Sequence, residues 1–181
     1  MNKKLIISLS VLFLIIGIYF LNSSSQNTYL STSKKLMNIQ ETNIKKIVIQ
    51  SGQDAIEIIK EDTIWTIAGN DTLKINEQTI NRFFDITSKI EIQNMMTTKK
   101  EKWSKYNVDD SLGVHLALID WDDQTINYYV FGRSKTDFAR CYVRVNQKNE
   151  VYLLNENIIY NLQSNPTFWG EPLIQNDEFN L

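Results

Sequence analysis

VHLALID at residues 114–120 and TINYYVF at 125–131, separated by Trp121-Asp122-Asp123-Gln124, decide how the rest of the chain is read. Both runs are rich in β-branched and aromatic residues, which fit a pleated, half-buried surface. The connector is short and polar, so the two runs form a hairpin. Working towards the C-terminus, GRSKTDFA at 132–139 is a longer polar loop. Residues 140–145 and 151–154 then make a second hairpin through 146–149. Asn155 is placed to cap a short helix reaching Leu162. The helix is stopped by Asn165-Pro166, because proline disfavours the helical conformation of the residue before it.

Working towards the N-terminus, KKEKWSKY at 99–106 reads as a short basic helical turn. Trp103 and Tyr106 share one of its faces, and Asn107, tolerant of left-handed backbone, ends it. Residues 90–96 are extended. Before them Ile80, Phe83, Phe84 and Ile90 recur at helical spacing behind Asn76, whose side chain can cap the first turn. Residues 45–50, 55–60 and 64–68 alternate as strands between turn-forming separators, giving a three-stranded meander, and 72–75 extends beyond it.

The runs LKINEQTI at 73–80 and YLLNENII at 152–159 echo each other: a strand tip, an Asn-Glu helix start, then apolar residues. Glutamate in the first turn suits the positive end of a helix dipole. The expected fold class is therefore α+β, with short antiparallel meanders each followed by a covering helix. The unit is duplicated over residues 44–92 and 113–163, after one N-terminal transmembrane helix.

That helix is read from LIISLSVLFLIIGIYFL at 5–21, an uncharged run directly after Asn2-Lys3-Lys4. Seventeen helical residues span roughly 26 Å, at the short end for a hydrocarbon core of about 30 Å. Residues 1–21 are thus a membrane anchor or uncleaved signal. A cleaved signal peptide is the competing reading, although no A-x-A-like site comes after the run. Lysines before the run put the N-terminus in the cytoplasm and the remainder outside. Residues 22–40 form a polar tether and 41–181 a single extracytoplasmic domain.

A net charge of −2 and a pI near 5.5 argue against nucleic acid as a partner, since displacing counterions needs a basic excess. The single cysteine, Cys141, cannot form an intrachain disulfide and reads as a small buried apolar group. His115 is the sole histidine and reads as a satisfied core or edge residue. Asp120, Asp122 and Asp123 lack the glycine and terminal glutamate of a calcium loop. Neither a nucleophile elbow nor a phosphate loop is present, and nothing selects a carboxylate pair. The expectation is no catalytic or metal site, no cofactor and no enzyme.

One surface stands out. Strand alternation puts Arg140, Tyr142 and Arg144 on one face and Cys141, Val143 and Val145 on the other. Arg133 and Lys135 lie in the preceding loop and can join the basic face. These five residues form the expected binding face for carboxylates, phosphates or an acidic protein surface.

The chain resembles the family called domain of unknown function 4340. The likeness runs through Thr63-Ile64-Trp65-Thr66-Ile67, Lys105-Tyr106-Asn107-Val108-Asp109, Tyr129-Val130-Phe131-Gly132, Cys141-Tyr142-Val143-Arg144 and Val151-Tyr152-Leu153-Leu154. The family commonly has glycine where this chain has Asn107, and asparagine also tolerates positive φ. The resemblance implies a bacterial envelope protein, in some members associated with ABC-type transport or gliding systems, and carries over no catalytic residue. The expected function is a membrane-anchored, periplasmic accessory or scaffold domain of an envelope complex. It would be held in the cell membrane by residues 5–21 and dock a membrane-protein partner. A glycan or small-ligand binding module and, behind it, an extracytoplasmic hydrolase are the alternatives.

Overall fold

The computed structural model describes residues 34–173. The apolar run at 5–21 and the tether up to residue 33 lie outside the described residues. Among those described, no helix is long and apolar enough to cross a membrane.

The hairpin at 114–131 lies in the interior of one large antiparallel sheet. Its strands are β1 (Lys34–Lys35), β2 (Lys46–Ser51), β3 (Asp54–Glu61), β4 (Ile64–Ile67), β6 (Glu91–Thr97), β7 (Val114–Ile119), β8 (Thr125–Arg133), β9 (Cys141–Val145) and β10 (Val151–Leu154). They are ordered β1-β6-β10-β9-β8-β7-β2-β3-β4. A separate pair joins β5 (Leu73–Ile75) to β11 (Gly170–Pro172). Register follows the apolar alternation. Ile47 sits opposite Leu118 and Ile49 opposite Leu116, so all four side chains enter one core.

That core is closed by α1 (Glu77–Lys89), which buries Ile80, Phe83 and Thr87. Asn76 caps it as expected, its Oδ1 accepting from the Thr79 amide at 3.1 Å. The Thr87 hydroxyl donates to the Phe83 carbonyl at 2.8 Å, which lets a polar side chain be buried inside the helix. Trp169, fully buried, meets Phe83 edge-on at 5.8 Å. The opposite face of the sheet carries a second, smaller apolar cluster. There the connection from β6 to β7 lays Trp103, Tyr106 and Val108 on Val130 and Val151.

The expected α+β duplication is not what the chain forms. The described residues are 41% strand and 21% helix, and only the first half has a covering helix. Asn155 is not a cap. Its Oδ1 accepts from the Glu91 amide at 2.9 Å, so it ties β10 to β6. The next element is a single 3₁₀ turn, Ile158–Asn161, capped by Asn157 instead. The two sequence echoes thus do different work: Asn76 starts a helix, whereas Asn155 joins two strands.

Asn165-Pro166 also begins an element rather than ending one. Pro166 opens the single-turn helix α2 (Pro166–Trp169), where its missing N–H costs nothing. Leu36 and Met37, expected within the tether at 22–40, are packed against the domain. The Leu36 amide donates to the Ile90 carbonyl at 2.8 Å, and Met37 is part of the core.

Candidate functional site

On β9 the expected alternation holds on one side: Cys141 and Val143 are fully buried in the main core. The other side is not an open basic face. The β6–β7 connection lies across it, and Arg144 is only 2% exposed. Its guanidinium stacks on Trp103 at 4.0 Å and pairs with Asp110 at 2.5 Å. It also donates to the Val108 carbonyl at 3.1 Å. Tyr142 is half-buried and meets Tyr106 edge-on at 4.9 Å. The alternation was legible in the sequence, but it does not reveal which loop covers the face.

Two local features seat that connection. Asn107 adopts φ 54°, and its side-chain amide donates to the Arg133 carbonyl at 2.9 Å. Gly132 lies directly beneath, where an added Cβ would stand 2.0 Å from the Tyr106 carbonyl oxygen. Asp109 then accepts from Ser111 and from the Leu112 amide. Burial pushes its carboxyl up, but these hydrogen bonds, with Arg144 nearby, outweigh it and hold the group low.

His115, on the same face, is satisfied on both nitrogens. With Nε2–H donating to the Asp110 carbonyl at 3.2 Å, Nδ1 is left to accept from the Tyr128 hydroxyl. Burial holds its pKa below the ordinary value. Burial likewise pushes the Cys141 thiol up to about 12, the opposite of a nucleophile's environment.

The remaining expected residues lie at the end of the sheet where β8 leaves and β9 begins, and this end is open. Arg133 is exposed, with its guanidinium 5.5 Å from the Tyr160 ring. Lys135 is exposed, and neither cation is in an ion pair among the described residues. Arg140 is half-buried, pairs with Asp137 at 2.6 Å and donates to Gln93 at 3.2 Å. The Asp137 carboxyl is held low by that bond to Arg140.

The loop between β8 and β9 is internally braced, with Ser134 Oγ accepting from the Asp137 amide at 3.0 Å. It is tied to the 155–161 segment by Asn157, which donates to the Phe138 carbonyl at 3.0 Å. Phe138 is 73% exposed and Tyr160 53%. So Arg133, Lys135, Phe138 and Tyr160 form a basic-aromatic end held on bonded backbone. Sequence reasoning missed the two aromatics. A lone phenylalanine inside the polar loop 132–139 was the available signal. Tyr160 was hidden by reading 155–162 as a helix.

Elsewhere, an open groove of about 570 Å³ runs along residues 74–78 and 171–173. It is lined by Glu77 and Glu171, and Glu171 accepts from the Asn76 side chain. Among the described residues no group of three or more His, Cys, Asp or Glu is placed to hold a metal ion.

Fold and site together define a mostly β domain, built on one large antiparallel sheet with a covering helix and an exposed basic-aromatic end. The family model described as domain of unknown function (DUF4340) matches residues 65–175, more than half of the chain, and the chain belongs to that family. No curated protein matches it, and no solved structure does.

Proposed function

We propose that this protein is a membrane-anchored, extracytoplasmic accessory domain that docks a subunit of a bacterial envelope complex, an ABC-type transport assembly being the leading case. The docking end is Arg133, Lys135, Phe138 and Tyr160. The observation that carries this is the exposure of Phe138 and Tyr160 beside two cations that no described acid neutralises. Exposed aromatics near arginine are the residue types that dominate binding energy at protein interfaces, because each combines contact area with directional polar contacts. Isolated exposed apolar residues need no explanation, but two aromatics on one braced end do. The partner surface this end fits is apolar at its centre and acidic at its rim.

The anchoring half of the proposal is supported by the uncharged run at 5–21 behind Lys3 and Lys4. The test is affinity purification of the full chain from native membranes, with and without Phe138→Ala plus Tyr160→Ala. The double variant should lose a membrane-protein partner that the parent retains, with unchanged melting temperature. Identical partner sets would refute this end as the docking site.

A further inference from the structure

At the other end of the sheet the chemistry is different. β6 ends at Thr97 and passes into the turns that carry Lys99, Lys100, Lys102 and Lys105. All four are exposed, and none is in an ion pair among the described residues. Lys148 lies beside them, in the loop that leads to Val151, the partner of Thr97. That loop is joined to the turn by Trp103, whose Nε1–H donates to the Asn149 carbonyl at 3.0 Å. Five lysines therefore face two glutamates, Glu101 and Glu150, in a chain whose net charge is −2.

The aromatics beneath are buried and so cannot insert into another surface. Trp103 and Tyr106 instead support Lys100 and Lys105, whose ammonium groups lie 5.1 and 5.5 Å from the ring centroids. The surface presented outward is polar, with lysines in excess over glutamates.

The direction of β1 says what lies opposite. β1 is antiparallel to β6, with Lys34 opposite Ile92 and Lys35 opposite Glu91. The chain thus enters the sheet from the side towards which β6 runs, the side of Thr97 and the lysine turn. From Ile92 to Thr97 is roughly 17 Å at strand rise. The twelve residues between the apolar run and Lys34 can reach about 40 Å when extended.

We propose that the lysine turn at 99–105 rests on anionic phospholipid headgroups of the membrane to which the domain is tethered. This deepens the anchored reading above and rests on it. Contact is electrostatic and reversible, because lysines near an anionic surface are attracted within a Debye length and no apolar group enters behind them. It leaves the basic-aromatic end, at the opposite end of the strands, directed away from the bilayer and free for a partner.

The test uses the full chain in nanodiscs, with Ser104→Cys carrying an environment-sensitive dye. Cys141 is fully buried and does not compete for the label. In phosphatidylglycerol-containing discs the dye should shift to the blue. The shift should vanish in phosphatidylcholine discs and at about 1 M salt, where the Debye length is about 3 Å. Lys99→Gln, Lys100→Gln and Lys102→Gln together should abolish it, each lysine removed weakening contact roughly fivefold. The corresponding triple arginine variant should keep it, which separates charge from folding. A label at Gln53→Cys, at the far end of the sheet, should not respond.

An equal shift in both kinds of disc, or at both labels, overturns the proposal. Incorporation into discs without any anionic-lipid shift overturns the lipid contact and leaves anchoring standing. Failure to incorporate at all refutes anchoring and this proposal with it.

Discussion

Arg144→Ala should destabilise the domain far more than loss of an ordinary sheet-surface arginine would. Four contacts disappear, the longest a 3.4 Å donation to the Asn146 carbonyl that adds little. The donor to the Val108 carbonyl is charged and buried, a bond of about 1.5 kcal/mol. Stacking on Trp103 at 4.0 Å, out of water, contributes about 1–2 kcal/mol. The pair with Asp110 adds less than about 1 kcal/mol, because the carboxylate is 79% exposed and well screened. That exposure also decides what does not happen: Asp110 returns to water, so no buried charge is orphaned. The total is about 3–4 kcal/mol, before any cavity left beneath Trp103. For a domain of this size that is a fall in melting temperature of roughly 10–15 °C. Thermal melting followed by tryptophan fluorescence is the assay, since Trp103 reports on the lost contact. Arg144→Met should recover part of the loss by refilling the space under the ring. Arg140→Ala, half-exposed at the loop end, should melt within about 2 °C of the parent. If Arg144→Ala also melts within about 3 °C of the parent, the β6–β7 connection is not seated on β9 and the closed face is wrong.

Gly132→Ala should fail to fold or melt far below the parent in the same assay, because its Cβ would overlap the Tyr106 carbonyl; normal melting would mean that the Tyr106–Asn107 turn does not sit over Gly132. Val143→Asp puts an unpaired charge into a fully buried site and should abolish cooperative unfolding in far-ultraviolet dichroism. Burial holds His115 below its ordinary 6.5, so the unfolded chain takes up that proton first as pH falls. The stability it contributes is whole above about pH 6.5 and is lost as pH falls towards the folded value. Melting temperature should therefore drop between about pH 7 and pH 5, and drop less in His115→Gln. A separate loss should begin in the ordinary carboxylate range, where the unfolded chain protonates Glu41 while the folded Glu41, held low chiefly by its bond to Lys60, stays charged.

The strands and the capped helix were legible because each is decided locally. Alternation in 45–50 and 114–120, and Asn76 before an apolar stripe, depend on neighbours a few residues away. The duplication failed because it rested on Asn155, whose role is set by Glu91, sixty-four positions distant. At Asn165-Pro166 two local rules compete. The residue before proline tends to end a helix, proline itself tends to open one, and here the second wins. At the candidate site, the strand pattern grouped Arg140 with Tyr142 and Arg144, but Arg140 lies just outside β9, paired with Asp137 of the preceding loop. The pattern carried no information on the connection that buries the other two. Positions of covering loops are tertiary facts. Asn107 and Gly132 hinted at one only as isolated backbone exceptions.

The central claim, that the Arg133–Phe138–Tyr160 end meets a partner, is tested most directly by a photo-crosslinking residue at position 138 in native membranes. A discrete adduct with one membrane protein is expected. It should be lost when Arg133→Ala and Tyr160→Ala are introduced together, and absent when the crosslinker is moved to Thr63 beside β4. No adduct at 138, or the same adducts from both positions, would contradict the claim.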